Sequence, residues 1–128
     1  MDDPTYLAYG RHVLADISGV SDAVLDDLDR LENGLVAASR AEGVSVLGVL
    51  RKKFQPRGVT LLLLLAESHV SLHTYPEQGR AFFDAFTCGI DYDPRNIFYR
   101  FVKDLNSATY AVKNVERGTA DSLLLASA

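Results

Sequence analysis

A short run of leucines constrains the fold of this chain more than any other feature of its sequence. Val59 to Ala66 holds five consecutive leucines and lies between the turn-forming segment Gln55-Pro-Arg-Gly58 and the polar residue Glu67. The run is far shorter than the roughly 20 residues that a membrane-spanning helix needs. Its length, and the turn residues before it, are typical of a strand that is buried on both faces. The sequence therefore predicts a fully buried strand over 59–66.

The segments around this run predict a mainly antiparallel sheet, because the turns that join them are short. The other predicted strands are 10–18, 44–54, 68–75, 81–88 and 109–115. Apolar residues at helical spacing predict one helix over 21–42 and a second helix from Pro94 to Asn106. We therefore expect an α+β fold, an α/β sandwich in which helices pack on one face of the sheet.

Length, charge and cysteine content limit the classes of protein to which the chain can belong. The chain of 128 residues suits a single domain, 1–128, and its net charge of −4 argues against a nucleic-acid partner. The sequence shows neither a targeting signal nor a long apolar span, so no membrane partner is expected. Cys88 is the single cysteine, which excludes an intrachain disulfide and favours a reducing, cytoplasmic location.

The predicted strand that follows the leucine run is unusually polar. Directly after Glu67 it carries Ser68, His69, Ser71, His73 and Thr74. Such groups need hydrogen-bond partners if the strand is buried, and the alternative is that one face of the strand is exposed to water. His69 and His73 would share one face of a helix but lie far apart along a strand, so no metal site is predicted.

Three residues in this part of the chain are of types used in nucleophilic catalysis, namely Ser68, His73 and Cys88. No glycine-flanked turn surrounds Ser68, which argues against a hydrolase of the nucleophile-elbow type. A lone cysteine is more often a small buried apolar residue than a reactive one. The residue types by themselves therefore leave both an enzyme and a binding domain open.

Five motifs follow one another in an order that resembles a known family. They are Gly10-Arg11-His12, Phe54-x-Pro56-x-Gly58-Val59-Thr60, Ala66-Glu-Ser-His-Val-Ser-Leu-His-Thr-Tyr-Pro-Glu77, Phe86-Thr-Cys-Gly89 and Glu116-Arg117-Gly118. Together they resemble the prokaryotic S-adenosylmethionine decarboxylase proenzymes, which are self-processing and pyruvoyl-dependent. The resemblance covers about residues 10 to 118.

This resemblance implies that the chain makes its own cofactor. The family cleaves its backbone before a serine, here between Glu67 and Ser68, which gives a β chain of residues 1–67 and an α chain of residues 68–128. Ser68 then becomes a covalently bound pyruvoyl group. The carbonyl of that group condenses with the amine of the substrate and accepts electrons as carbon dioxide leaves.

The resemblance also implies roles for three other residues. Thr60 matches a hydroxyl residue that assists processing, and His73 matches a histidine that moves protons during it. Cys88 matches a cysteine that returns a proton to the decarboxylated carbon. The family packs two protomers sheet to sheet with sites built from both chains, so a homodimer of processed αβ units is expected.

The substrate implied by the resemblance is S-adenosylmethionine, in polyamine biosynthesis. Phe54 and Tyr75 match aromatic residues that enclose the adenine, and Glu77 matches a glutamate that binds the ribose hydroxyls. Tyr75 replaces a usual tryptophan, Lys52 a frequent histidine and Arg80 a frequent aromatic residue. These departures leave open the same chemistry on L-ornithine or L-arginine. A processing-dead regulatory paralogue and a plain ligand-binding domain are the alternatives from other classes.

The positions of Ser68 and His73 raise a geometric problem. The two residues have opposite parity, so in a regular strand their side chains lie on opposite faces of the sheet. The chemistry needs both side chains in one site, so Ser68 must lie in a turn or bulge. We therefore predict such an irregularity at the start of this strand.

Overall fold

The computed structural model of the protein describes residues 8–66, 68–89, 91–106 and 108–118. Within these ranges six strands form one sheet in the order β2-β3-β4-β5-β1-β6, and every neighbouring pair is antiparallel. The strands are β1 (Gly10–Ser18), β2 (Val46–Lys53), β3 (Val59–Leu65), β4 (Ser68–Tyr75), β5 (Arg80–Cys88) and β6 (Thr109–Arg117). The mainly antiparallel sheet predicted from the short turns is thus confirmed.

In the part of the chain that the structure describes, three α-helices accompany the sheet: α1 (Asp22–Leu25), α2 (Leu28–Ala41) and α3 (Pro94–Lys103). The single helix predicted over 21–42 is wrong, because the chain divides between α1 and α2. Ser21 caps α1, and the Asp27 carboxylate accepts a hydrogen bond from the backbone N–H of Arg30 at 3.2 Å and so begins α2. None of the helices in the described part of the chain has both the length and the apolar character needed to cross a membrane.

The core lies between these helices and one face of the sheet. Strand residues at alternate positions are buried there against residues of α2 and α3. This set includes Val13, Ala15, Ile17, Val70, Leu72, Phe83 and Ala85 from the sheet, and Leu31, Leu35, Phe98 and Phe101 from the helices.

The opposite face of the sheet, here called the open face, carries exposed apolar side chains. In β3 the leucines alternate: Leu61 and Leu63 are at most 1% exposed, whereas Leu62 and Leu64 are 43% and 58% exposed. The prediction that the leucine run is fully buried is therefore wrong for the single chain, because the helices cover one face only. Leu14 and Phe82 extend the same apolar face across β1 and β5.

Candidate active site

Ser68 begins β4 and lines a small cavity at one end of the sheet, here called the Ser68 end. The cavity has a volume of about 120 Å³ and is lined by Val44, Ser45, Ala66, Ser68, Thr87, Cys88 and Tyr92. Ser68 pairs with Leu65 on one side and with Thr87 on the other. The structure therefore brings Ser68 and Cys88, two of the predicted catalytic residues, to one cavity. Glu67, the predicted residue before the cleavage point, lies outside the described residues.

Close packing of the backbone holds the Ser68 end together. β1 approaches β5 with Gly10 opposite Cys88, and a Cβ at Gly10 would lie 2.2 Å from the carbonyl oxygen of Thr87. A glycine is therefore required where the first motif meets the fourth. The buried hydroxyl of Thr87 donates to the carbonyl oxygen of Tyr92 at 3.3 Å, which ties the strand to the loop before α3.

Thr60 and His73 form a second pair, at the opposite end of the sheet, here called the His73 end. They lie directly opposite each other on β3 and β4, and Thr60 Oγ1 is 3.0 Å from His73 Nδ1. Both side chains are half-buried on the open face. The hydrogen bond fixes the orientation of the imidazole ring and joins the two residues that the family resemblance links to processing.

The turn that carries Phe54 lies at the same end and is anchored to α1. Phe54 closes the turn by donating its N–H to the carbonyl oxygen of Gly58 at 2.8 Å. The Asp26 carboxylate then accepts bonds from Lys53 Nζ at 2.8 Å and from the N–H of Gly58 at 2.9 Å. These bonds, with that of Lys53 the larger cause, lower the pKa of Asp26.

Tyr75 and Glu77 complete the group of predicted substrate-binding residues at the His73 end. Tyr75 ends β4, and Glu77 lies in the 3₁₀ turn Pro76–Gln78 that follows. The ring of Tyr75 packs edge-on against Phe82 of β5, with 5.4 Å between ring centroids. Phe82 was not among the predicted site residues, although its place on the same face as Cys88 in an alternating strand is a signal that could have found it.

Thr74 is a second residue that the sequence prediction missed as a support of the site. Its buried hydroxyl donates to the carbonyl oxygen of Leu25 at 2.7 Å and accepts from the N–H of Val59 at 2.9 Å. It therefore joins α1, β3 and β4 beside the Thr60–His73 pair. The sequence did contain a signal for this role. Thr74 follows Val70 and Leu72 at alternate positions of the strand, so it was expected on their buried face, where its hydroxyl needs hydrogen-bond partners.

The two ends of the sheet are well separated within one chain. Ser68 and His73 are five strand residues apart, which corresponds to about 17 Å at the usual rise per residue. No register shift interrupts the pairing of β4 with β3 or β5. The predicted turn or bulge at Ser68 is therefore wrong, and the side chains of Ser68 and His73 belong to opposite faces of the sheet.

Comparison with known proteins identifies the family. Residues 11–118 match the family model described as S-adenosylmethionine decarboxylase. The chain belongs to the S-adenosylmethionine decarboxylase family. This confirms the resemblance read from the five motifs.

Individual relatives agree over most of their length. The chain is 42% identical over 116 residues to a Bacillus cereus protein named S-adenosylmethionine decarboxylase proenzyme 2, an alignment that covers 91% of this chain and 94% of that protein. A Methanococcus maripaludis protein named S-adenosylmethionine decarboxylase proenzyme is 38% identical over 112 residues, with 88% and 92% covered. The crystal structure of the adenosylmethionine decarboxylase from Aquifex aeolicus superposes with a TM-score of 0.79 at 32% identity, covering 87% of this chain and 92% of that one.

Proposed function

We propose that the chain is a proenzyme that cleaves itself between Glu67 and Ser68 and then decarboxylates S-adenosylmethionine with the pyruvoyl group made from Ser68. The observation that carries this proposal is a small cavity whose lining includes both Ser68 and Cys88. Membership of the family, and relatives named as proenzymes, support it. A cytoplasmic location is part of the proposal, and the single thiol favours it.

The chemistry of processing explains why a serine is needed at position 68. Its Oγ attacks the carbonyl carbon of Glu67, the peptide C–N bond breaks, and an ester replaces the amide. Loss of the Cα proton then releases the Glu67 carboxylate and leaves a dehydroalanine, which water converts to the pyruvoyl group and ammonia. The Thr60–His73 pair offers a hydroxyl and an imidazole for these proton transfers.

The cavity at the Ser68 end has the properties that this cofactor requires. A pyruvoyl group supplies an electron sink for the bond that breaks when the carboxylate of an α-amino acid leaves. Cys88 contributes to the lining of the same cavity, and its thiol is the group that we assign to donate a proton to the carbon left behind. A volume of about 120 Å³ suits the amino-acid part of the substrate but not the nucleoside, since whole small-molecule sites are usually larger.

The nucleoside then needs a surface outside this cavity, and the predicted aromatic residues lie at the other end of the sheet. Phe54 and Tyr75 are 44% and 43% exposed, so both rings have faces available for stacking. They lie at the His73 end, together with Glu77. One chain therefore supplies the two parts of the site at opposite ends.

A homodimer removes the separation along the strands, although not the assignment of the Ser68 side chain to the helix face in the uncleaved chain, and we include this dimer in the proposal. A two-fold axis that runs across the strands in the plane between two facing sheets places the Ser68 end of one copy over the His73 end of the other. Sheets packed face to face lie about 10 Å apart, close enough for side chains from both to line one site. The apolar open face, with Leu14, Leu62, Leu64 and Phe82 exposed, is the surface that such packing would bury.

The proposed substrate is S-adenosylmethionine because the relatives at 37–42% identity carry that name. The decisive experiment incubates the purified chain, measures its intact mass, and then assays carbon dioxide release from S-adenosylmethionine, L-ornithine and L-arginine in parallel. We expect two chains, the α chain being lighter by one ammonia than a peptide of residues 68–128 that starts with serine, and carbon dioxide release from S-adenosylmethionine. The Ser68→Ala variant is the control, and it should neither cleave nor turn over.

Two outcomes would overturn the proposal. A single full-length species without carbon dioxide release would place the chain with the processing-dead paralogues. Release from ornithine or arginine by a cleaved sample that leaves S-adenosylmethionine intact would keep the chemistry and reject the substrate.

A further inference from the structure

Three potential metal ligands from three neighbouring strands meet on the open face of the sheet. His12 of β1, His69 of β4 and Asp84 of β5 place one ligand atom each within 4.8 Å of the others. His12 Nε2 lies 3.6 Å from one oxygen of the Asp84 carboxylate, and His69 Nε2 lies 3.6 Å from the other. None of these residues has a role in the proposed decarboxylation.

These distances are too long for hydrogen bonds but suit ligands of a common ion. With metal–ligand bonds of about 2.0–2.2 Å, two ligands of a tetrahedral zinc ion lie about 3.4 Å apart. His12 Nε2 is buried and has no hydrogen-bond partner among the described residues. A buried polar nitrogen of this kind is costly unless a donor, an acceptor or an ion occupies the space that it faces.

The surroundings fix the geometry of all three ligands. The ring of Phe86 packs against both imidazoles, with centroid distances of 5.7 Å to His12 and 6.3 Å to His69. Ser71 Oγ donates a hydrogen bond to Asp84 at 2.8 Å, which orients the carboxylate. Ligands held in this way by an outer shell of contacts are typical of metal sites in proteins.

We propose that His12, His69 and Asp84 form a binding site for a first-row divalent transition-metal ion of the zinc class. Two imidazoles and one carboxylate leave a fourth position for water, and this ligand set prefers zinc, cobalt or nickel to magnesium or calcium. His69 and His73, the pair considered in the sequence, are four strand residues or about 13 Å apart and do not form the site.

Arg117 is the group that opposes this site. Its Nη1 lies 3.5 Å from His12 Nδ1, and its guanidinium lies over the ring of Phe86 at 5.5 Å. A metal on Nε2 requires the proton of the imidazole to be on Nδ1, where it would face a donor that is itself cationic. Binding therefore displaces the exposed Arg117 side chain, and removal of its charge strengthens binding.

The inference goes beyond the proposed function, and its site lies on the open face that the proposed homodimer would cover. The experiment uses the full chain without a polyhistidine tag, stripped of metal with a chelator and titrated with zinc in competition with a chromophoric indicator. Cobalt(II) is then added to a second sample for its visible spectrum. The same titration on Ser68→Ala, which is expected to stay uncleaved, separates a failure of this site from a failure of processing.

We expect one tight zinc ion per chain and a tetrahedral cobalt spectrum without thiolate charge transfer. His69→Gln and Asp84→Asn should lose the tight site, and Ser71→Ala should weaken it about 10- to 100-fold. Arg117→Gln should tighten it. His73→Gln and Asp16→Asn are matched controls, because they change a histidine and a carboxylate of the open face that lie outside the cluster, and they should bind zinc like the unaltered chain.

The proposal is overturned if the unaltered chain binds zinc no more tightly than magnesium. It is also overturned if His69→Gln and Asp84→Asn, checked for folding by circular dichroism, bind zinc as the unaltered chain does. A thiolate band in the cobalt spectrum would assign the ion to Cys88 instead.

Discussion

Co-expression of two inactive variants, Ser68→Ala and His73→Ala, tests whether the two ends of the sheet act together across two chains. Within one chain the residues lie on opposite faces, about 17 Å apart along β4. If His73 of one copy serves Ser68 of the other, neither variant processes alone. The mixed dimer, however, rebuilds one complete site from the Ser68 of one chain and the His73 of the other.

The size of the effect follows from random pairing. At equal amounts of the two chains, about half of the dimers are mixed and each has one complete site, so about half of the His73→Ala chains should be cleaved. The Ser68→Ala chains should stay intact throughout. Carbon dioxide release per chain should therefore reach about a quarter of that of the unaltered protein.

The assay is intact-mass spectrometry of the co-expressed chains, which differ in mass, followed by native mass spectrometry to count mixed dimers. Thr60→Ala can replace His73→Ala as an independent partner, since Thr60 is hydrogen-bonded to His73. The reasoning is refuted if mixed dimers form and no His73→Ala chain is cleaved. It is equally refuted if His73→Ala and Thr60→Ala both cleave fully on their own.

Four further predictions concern single residues. Cys88→Ala should process normally and lose about 100- to 10,000-fold in kcat, measured as carbon dioxide release, because a general acid is removed; unchanged turnover would make Cys88 a packing residue. Tyr75→Ala should lower kcat/KM for S-adenosylmethionine about 10- to 100-fold, because the stacking of the adenine on the ring is lost. Tyr75→Trp should maintain or raise kcat/KM, and a lower kcat/KM in this variant would argue for a smaller substrate. Thr74→Val should lower the free energy of unfolding, measured in urea, by about 1–3 kcal/mol, because two buried backbone groups lose their hydrogen-bond partner. The control Thr109→Val changes an exposed threonine and should alter the free energy of unfolding by less than about 0.5 kcal/mol. The pKa of Asp26 is lowered in the folded chain below its ordinary value of 3.8. The ionised carboxylate therefore stabilises the fold above pH 3.8, and this stabilisation is lost as the pH falls below that value. Asp26→Asn should reduce the free energy of unfolding at neutral pH, and a deficit that persists unchanged in acid would contradict this origin.

Much of the local structure could be predicted from the sequence, because it depends on neighbours along the chain. The alternation in 81–88 separates Phe83 and Ala85 from Phe82 and Asp84, and the structure buries the first pair and not the second. Asp93 caps α3 through the N–H of Arg95 at 3.0 Å, as the Asp-Pro pair predicts. The family motifs were equally readable, since a motif is a local string of residues.

Tertiary structure decided the features that depend on residues distant in sequence. Alternation shows which strand residues share a face but not whether anything covers it, so the exposure of Leu62 and Leu64 was not predicted. Contacts from distant residues also meet at the break between α1 and α2. There the Asp26 carboxylate is bound by Lys53 and Gly58, which lie more than 25 residues further along the chain.

The amino-acid sequence indicated the strands, the N-terminal caps of α1 and α3, and the set of residues that the chemistry needs. Only strand order and register decided which of them meet: Ser68 with Cys88, Thr60 with His73, and His12 with His69 and Asp84. These contacts join residues on different strands, and no periodic pattern in the sequence predicts which of those residues will be neighbours. They are fixed by pairing that forms when the whole sheet closes over its core.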